Sequence, residues 1–425
     1  MIKKIIKDWI MPRPKVIVIA GTTGVGKSDL SIQIATKYNG EVINSDSMQM
    51  YKGIPVITNK HPIEERNGVK HHLMNHVSWD EEYYIHRFEQ ECTEAIQDIH
   101  SRGKMPIIVG GTHYYLQTLF NKRVNERIRN PNAEETKILD SNDAKLVYDT
   151  LKSVDPTIAS KFHINDIRRV KRMLEIYYTT GEKPSEAFEK QDTSLKYDTL
   201  FFWIYSKPEI LDKRLDLRVD KMMDLGALEE IKELYAYYKE HKFTAEKCEN
   251  GVWQVIGFKE FLPWLNNPEN CDFNACVEKM KIRTRQYAKR QVKWIKKMLM
   301  PDIDGKIYIL DATDLEQWNV NVSQRASSII EDFTQGRSTK LPYAPEMLSS
   351  LLIHDSQNSP KLNADWKQYT CDICKDKDNK NLIAIGTKNW EIHLKSRRHK
   401  ANINKQHKKL NFEKWQKRKI EEVDH

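Results

Sequence analysis

The stretch KVIVIAGTTGVGKS, Lys15 to Ser28, leaves little freedom in how this chain begins to fold. Its first half is a short apolar run stopped by glycine, the pattern of a strand buried on both faces. Gly21, four further residues and Gly26-Lys27-Ser28 then follow, and Ser28 to Tyr38 has helical spacing. A strand, a glycine-rich turn and a helix start in that order form a phosphate loop. Gly21, Gly24 and Gly26 let the backbone approach an anion, with Thr22, Thr23 and Val25 completing the loop. The amides of residues 23–28 point inward at the positive end of the helix. Lys27 can reach a terminal phosphate, and the Ser28 hydroxyl can ligate Mg²⁺. Such a loop reads phosphate and says nothing of what the phosphate is attached to.

The rest of the chain repeats the alternation. EVINSD is a second strand, Tyr83 to His100 a helix, MPIIVGG a third strand, and LFFWIYS at 200–206 a fourth. Helices continue through about 239 and again from Trp253 to Leu265, and KIYILD at 306–311 closes the series. This order predicts an α/β fold, a phosphate-loop NTPase-like parallel sheet core built from residues 13–121 and 196–322. Residues 122–195 read as a helical insertion subdomain. Residues 323–362, rich in Ser, Thr, Asn and Pro, read as a linker, and 363–425 as a small zinc-finger unit with a basic tail. With 425 residues the chain is long enough for two or three domains. No apolar run reaches membrane-spanning length, and membrane partners are not expected. Cys92, Cys248, Cys271 and Cys276 show no dense disulfide pattern, which suits a reducing compartment.

A nucleotide hydrolase usually carries an acid at a neighbouring strand end to hold the Mg²⁺ shell. MPIIVGGTHYY ends in Gly-Gly-Thr instead, and Asp311 lies far downstream. The acid near the loop is Asp46, at the carboxyl end of the second strand, the edge that faces the ligand crevice of an open parallel sheet. It is placed to act as a base. It can equally cap the next turn, and this stretch leaves the two roles open.

Net charge is +9, and its clustering is informative. KMKIRTRQYAKRQVKWIKK, Lys279 to Lys297, has nine Lys or Arg and no acid. On a helix, Arg283, Tyr287, Arg290, Trp294 and Lys297 share one face, and Ala288, Val292, Ile295 and Leu299 the other. Cations interleaved with aromatic rings suit a nucleic-acid backbone; a solvated charged face is the plainer reading. RRVKR at 168–172 forms a second basic strip. Cys371-x2-Cys374 and His393-x5-His399 have the ligand spacing of a closed tetrahedral Zn²⁺ site, against a redox pair with unrelated histidines. The 18 residues between the pairs imply an insert before a helix, NWEIHLKSRRHK, that carries both histidines. At the amino terminus, residues 1–12 alternate Lys3, Lys4 and Lys7 with isoleucines and Trp9, as a mitochondrial presequence does. A start at Met11 would remove it, so mitochondrial and cytosolic or nuclear products are both expected.

Taken together these motifs resemble the tRNA dimethylallyltransferases in their eukaryotic, fungal form with a C-terminal zinc finger. The residues that carry the resemblance are GTTGVGKS at 21–28, NSDSMQMY at 44–51, VGGTHYYLQ at 109–117, DIRRVKRMLE at 166–175, RVDKMM at 218–223, QVIGFKE at 254–260 and RTRQYAKRQVKW at 283–294. The resemblance implies transfer of a dimethylallyl group from its diphosphate to N6 of adenosine 37, beside the anticodon. It implies that loop residues 21–28 and Arg218 hold the diphosphate with Mg²⁺, that Asp46 is the base, and that Thr112 faces the tRNA near the reaction channel. Ser45, Ser47, Met48 and Gln49 would line the adenine site. Arg168, Arg169, Val170, Lys171 and Arg172 would grip the anticodon stem-loop. So would Gln254, Gly257, Lys281, Arg283, Arg285, Gln286, Tyr287, Lys289, Arg290, Lys293 and Trp294, and the chain would act as a monomer. The main rival is a phosphate-loop nucleoside or RNA kinase with an RNA-binding zinc finger. A non-catalytic RNA-binding zinc protein is the second.

Overall fold

The structure, a computed structural model, describes residues 13–121, 129–190, 192, 194–353, 367–376 and 379–421. The basic stretch at residues 1–12 lies outside them, so its expectation stays with the sequence. The described chain forms two units, one from residues up to 121 with 193–359, the other from 122–192 with 360–425.

The first unit is built on a six-stranded sheet, every neighbouring pair parallel. In chain order its strands are β1 (Lys15–Gly21), β2 (Gly40–Asn44), β3 (His71–His72), β4 (Met105–Val109), β5 (Asp198–Tyr205) and β6 (Tyr308–Asp311). Their spatial order is β3-β2-β4-β1-β5-β6. The five strands expected from sequence are present. The short edge strand β3 was not expected, since two residues carry no period. Because successive side chains of a strand point to opposite faces, β1 feeds two cores. Val16, Val18 and Ala20 enter one, with Phe88, Cys92, Ile96 and Ile99 of helix α2 (Ile85–Ser101). Ile17 and Ile19 enter the other, with Leu30, Ile34 and Ala35 of α1 (Lys27–Lys37). The chain leaves β1, passes over β4 to β2 and returns. The carboxyl ends of β1 and β4 therefore flank the crevice in which such sheets bind ligands.

One expectation is corrected. Residues 323–362 are not a linker throughout. A π-helical turn (Asn319–Gln324) runs into a helix (Arg325–Thr334) whose Val322, Ala326, Ile329 and Ile330 are buried in the second core. Lys37–Glu331 at 3.0 Å and Tyr38 Oη donating to the Ser327 carbonyl at 3.1 Å tie it to α1. Its apolar stripe was diluted by Ser, Thr and Asn on the solvent side. Residues 354–366 lie outside the described residues.

The second unit holds five helices between Ala133 and Glu189 around Val147, Leu151, Ile158, Val170 and Leu174. It also contains a two-stranded antiparallel hairpin, β7 (Gln368–Lys375) and β8 (Asn381–Ile385). The hairpin is not separate from the helical insertion. Gln368 Nε2 donates to Tyr148 Oη at 2.7 Å and to the Phe162 carbonyl at 3.0 Å.

Candidate active site

Three strand ends converge at the crevice. β1 delivers the loop Gly21–Ser28, β2 delivers Ser45 and Asp46, and β4 delivers Gly110 and Gly111. Gly26 closes the loop at φ 88°, a conformation L side chains rarely adopt, and a Cβ there would lie 2.5 Å from the Trp318 indole. With glycine as the N-cap, no side chain caps α1. Its first N–H groups are thus available to an anion. Lys27 Nζ donates to the Thr22 carbonyl at 2.7 Å.

A cavity of about 230 Å³ opens over this loop, lined by Thr23, Gly24, Gly26, Lys27, Ser28 and Asp46 among others, with Arg218 of the helix Pro208–Asp224. A larger cavity of about 490 Å³ beside Arg13, Asp198 and Lys306 contains none of these groups. Asp46 is half-buried at the cavity wall, and desolvation pushes its carboxyl above the ordinary range. Lys27 opposes that shift, followed by the Met48 N–H, Arg218 and the Gly111 N–H. Burial likewise lowers Lys27 to about 8 and Arg218 to about 10, while Asp46 pulls both upward. Two cations face one carboxylate, an excess of one positive charge in a small desolvated space, which a polyanion would balance. Arg218 Nε and Thr22 Oγ1 are buried without a hydrogen-bond partner among the described residues.

Of the two roles left open for Asp46, the cap is present and engages one oxygen. Its Oδ1 accepts from Met48 N–H at 3.1 Å and so caps the turn. Oδ2 lies on the Gly111 side, 3.1 Å from where a Gly111 Cβ would be. Asn44 fixes the turn: its Oδ1 accepts from Asp46 N–H at 3.0 Å, and its Nδ2 donates to the Asp46 and Leu73 carbonyls. Ser45 is buried and its N–H donates to the Val109 carbonyl at 2.7 Å. Thr112 Oγ1 accepts from Ser47 N–H at 3.0 Å and donates to Ser47 Oγ at 3.1 Å. It therefore joins the β2 and β4 ends rather than lining the phosphate cavity. Met48 packs on the first core. Gln49 lines the cavity and donates to the Thr58 and Asn59 carbonyls at 3.2 and 3.0 Å. Thr58, Asn59 and His61 also line it, with no motif to announce them. His113, absent from the sequence expectations as a site residue, sets its Nε2 3.2 Å from the Gly21 N–H and 3.1 Å from the Gly21 carbonyl. Burial, then Lys27, lowers its pKa to about 3, so it is a neutral buckle at the loop's start.

The basic helix spans Phe273–Trp294. Its cations divide into two sets. Lys281, Arg285 and Lys289 pair with Asp220, Asp216 and Asp212 of the helix Pro208–Asp224, at 2.7 Å for Lys281 and 3.2 Å for Lys289. These three hold two helices together, which their expected RNA role did not include. Arg283, Arg290 and Lys293 are exposed, as is Gln286, which accepts from Arg283 at 3.2 Å, and Arg283 also pairs with Glu260 at 3.6 Å. Trp294 is half-buried and stacked on His113 at 5.7 Å, so it belongs to the loop's support rather than to the outer face. Tyr287 likewise turns inward, its hydroxyl 3.4 Å from the Gly111 carbonyl. In the second unit, Arg168 is exposed, Arg169 pairs with Asp166, and Arg172 pairs with Glu175 at 2.7 Å. Lys171 is half-buried. Val170 is fully buried and is a core residue, not an RNA contact. Gly257, at φ 114° against Ile231 and Met280, is also a packing residue, while Gln254 is exposed.

Cys371 and Cys374 on β7, His393 and His399 bring four ligand atoms within 4.8 Å of one another. Both sulfurs lie 3.5 Å from His399 Nδ1. That matches the edge, about 3.5 Å, of a tetrahedron with zinc–sulfur and zinc–nitrogen bonds of ordinary length. His393 Nε2 is buried without a partner among the described residues. The histidines do not share one helix as expected. The backbone is extended at Ser396, so His393 ends one helix (Thr387–Lys395) and His399 begins the next (Arg397–Glu421). The expected insert contains the β8 strand of the hairpin.

A family model described as IPP transferase matches residues 49–298. The chain is 60% identical to the tRNA dimethylallyltransferase of Saccharomyces cerevisiae, with all of both chains covered. It is 31% identical to that of Homo sapiens, over 92% of this chain and 86% of the human one. Among solved structures it matches a eukaryotic dimethylallyltransferase acting on tRNA with a TM-score of 0.87 at 62% identity, over 95% of this chain and 100% of that one. It matches the tRNA isopentenylpyrophosphate transferase of Bacillus halodurans with a TM-score of 0.53 at 28% identity, over 76% and 99%. No helix among the described residues is long and apolar enough to cross a membrane. With a phosphate loop, a half-buried carboxylate and full-length likeness at such identity, the chain belongs to the IPP transferase family, among the tRNA dimethylallyltransferases.

Proposed function

We propose that the chain transfers the dimethylallyl group of dimethylallyl diphosphate to N6 of adenosine 37 in the tRNA anticodon loop, releasing diphosphate. One observation carries the reading: a half-buried carboxylate, Asp46, shares a small cavity with a phosphate loop and two cations. The loop N–H groups, Lys27 and Arg218 hold the diphosphate and meet the charge that grows on it as the C1–O bond breaks. The N6 lone pair is delocalised into the adenine ring, so the amine needs a base. Asp46 takes its proton as the N6–C1 bond forms, and diphosphate leaves with the electron pair of the broken bond. Burial raises the basicity of Asp46, while Lys27 and Arg218 favour its ionised form.

Adenosine must leave the anticodon stack to meet a half-buried carboxylate, so the base is flipped. Arg283, Arg290 and Lys293 supply cations for the RNA backbone in the first unit, and Arg168 and Lys171 in the second. Mg²⁺ suits a donor set of one Ser28 hydroxyl, diphosphate oxygens and water, where it would neutralise the leaving group. Zn²⁺ suits the two sulfurs, His399 Nδ1 and His393 Nε2 as a structural ion.

Purified protein incubated with tRNA, dimethylallyl diphosphate and Mg²⁺ should yield a nucleoside heavier by one dimethylallyl group, seen by mass analysis. Labelled ATP in parallel tests the kinase rival, and phosphate transfer without prenyl transfer rejects this reading.

A further inference from the structure

Gln291 lies on the inner face of the basic helix and is almost wholly buried, 3% exposed. Its Oε1 accepts from Thr23 N–H at 2.8 Å, and its Nε2 donates to the Gly111 carbonyl at 2.9 Å. Thr23 belongs to the phosphate loop at the end of β1, and Gly111 to the turn at the end of β4. One side-chain amide therefore spans the crevice between the two strand ends. Its orientation is fixed, because one partner can only donate and the other only accept. The bridge reaches the base: Asp46 Oδ2 lies 3.1 Å from where a Cβ on the same Gly111 would be, and the Gly111 N–H favours the ionised carboxylate. No side chain can enter between them, since a Cβ on Gly111 would lie 2.4 Å from Gln291 Nε2. Tyr287, one turn earlier, aims its hydroxyl at the same carbonyl. Lys293 lies on the far side of this helix, and the exposed Arg283 and Arg290 lie about a quarter turn round from Gln291.

We propose that Gln291 is a positioning residue for prenyl transfer, holding the phosphate loop and the Asp46 turn at a fixed separation and registering both to the helix that carries the RNA-facing cations. It touches neither proposed substrate in this account. It acts through Thr23 and Gly111, and it takes up the Thr23 amide that would otherwise face a phosphate. This role rests on the function proposed above.

Two near-isosteric variants test it. Gln291→Met removes both hydrogen bonds. Gln291→Glu keeps the acceptor for Thr23 and sets a carboxylate against the Gly111 carbonyl when ionised. Protonated, it can donate to Gly111 again, and burial moves that protonation toward neutral pH. Rates with tRNA and dimethylallyl diphosphate are measured from about pH 8 to about pH 6 and divided by the wild-type rate at each pH. The ratio removes the profile set by the groups around Gln291, namely Asp46, Lys27, Arg218, Tyr287 and His113. For both variants kcat should fall about 10- to 100-fold at the upper pH, as for a reacting centre displaced by about 1 Å. KM for tRNA should stay near wild type. The Glu ratio should recover as pH falls, and the Met ratio should not. Thermal melts identify an assay temperature at which both variants are folded. Wild-type kcat in both variants, or equal losses with no recovery for Glu, overturns the positioning role. Wild-type protein that forms no prenylated nucleoside overturns the underlying function and this role with it.

Discussion

Replacing Asp46 by asparagine keeps the shape of the site and removes its proton acceptor. The asparagine Oδ1 can still accept from Met48 N–H, so the turn that Asn44 pins should survive. Loss of a general base costs about 10²–10⁴ in rate, or ~2.7–5.4 kcal/mol on the barrier. Binding should change the other way. The triad of Lys27, Arg218 and Asp46 goes from an excess of one positive charge to two, so KM for dimethylallyl diphosphate should hold or fall. Stability should also rise slightly. Burial raises the Asp46 pKa above its unfolded value, so the folded state binds more protons over that interval. Stability is then lost as pH rises from the unfolded pKa through the folded one, and above that interval the ionised Asp46 is a cost. Single-turnover prenylation followed by mass analysis, a KM series and a thermal melt measure the three quantities. A kcat within threefold of wild type, or a loss confined to KM, would refute the assignment of Asp46 as base.

Four further outcomes are expected. Arg290→Ala and Lys293→Ala should each weaken tRNA binding and lower the salt slope of the association constant by about one, read by filter binding at several salt concentrations. Arg285→Ala should spare affinity and cost about 1 kcal/mol of stability by stranding Asp216; the reverse pattern contradicts the pairing argument. Purified protein should contain a single zinc ion, and Cys374→Ser should lose it and the order of the β7–β8 hairpin; undiminished zinc in that variant counts against the site. A tagged chain starting at Met11 should lose its mitochondrial signal and keep the cytosolic or nuclear one, and unchanged mitochondrial signal removes the presequence.

The phosphate loop was legible because its residues are contiguous and its chemistry is local to one strand, one turn and one helix start. The core strands were legible because burial on both faces writes them as apolar runs. What stayed hidden depends on partners distant in sequence. Nothing near Lys281, Arg285 and Lys289 says that Asp220, Asp216 and Asp212 wait on another helix, so the stretch read as nineteen residues of free charge. The same holds for Gln291, a neutral residue in a basic run whose two partners lie on two strand ends. Val170 sat inside RRVKR and took the character of its neighbours, although its own apolarity is what buries it. The break at Ser396 was obscured by a helical composition on either side, yet it sets His393 and His399 on separate helices.

The central claim is that the phosphate loop holds a departing diphosphate while Asp46 deprotonates the attacking amine. Its most direct measurement counts products from labelled dimethylallyl diphosphate and tRNA: prenylated adenosine, free diphosphate and orthophosphate. The account predicts one diphosphate per prenylated adenosine at position 37, no orthophosphate, and loss of both products together in Asp46→Asn. Diphosphate release without prenylated adenosine, or labelled phosphate on the tRNA, would contradict it.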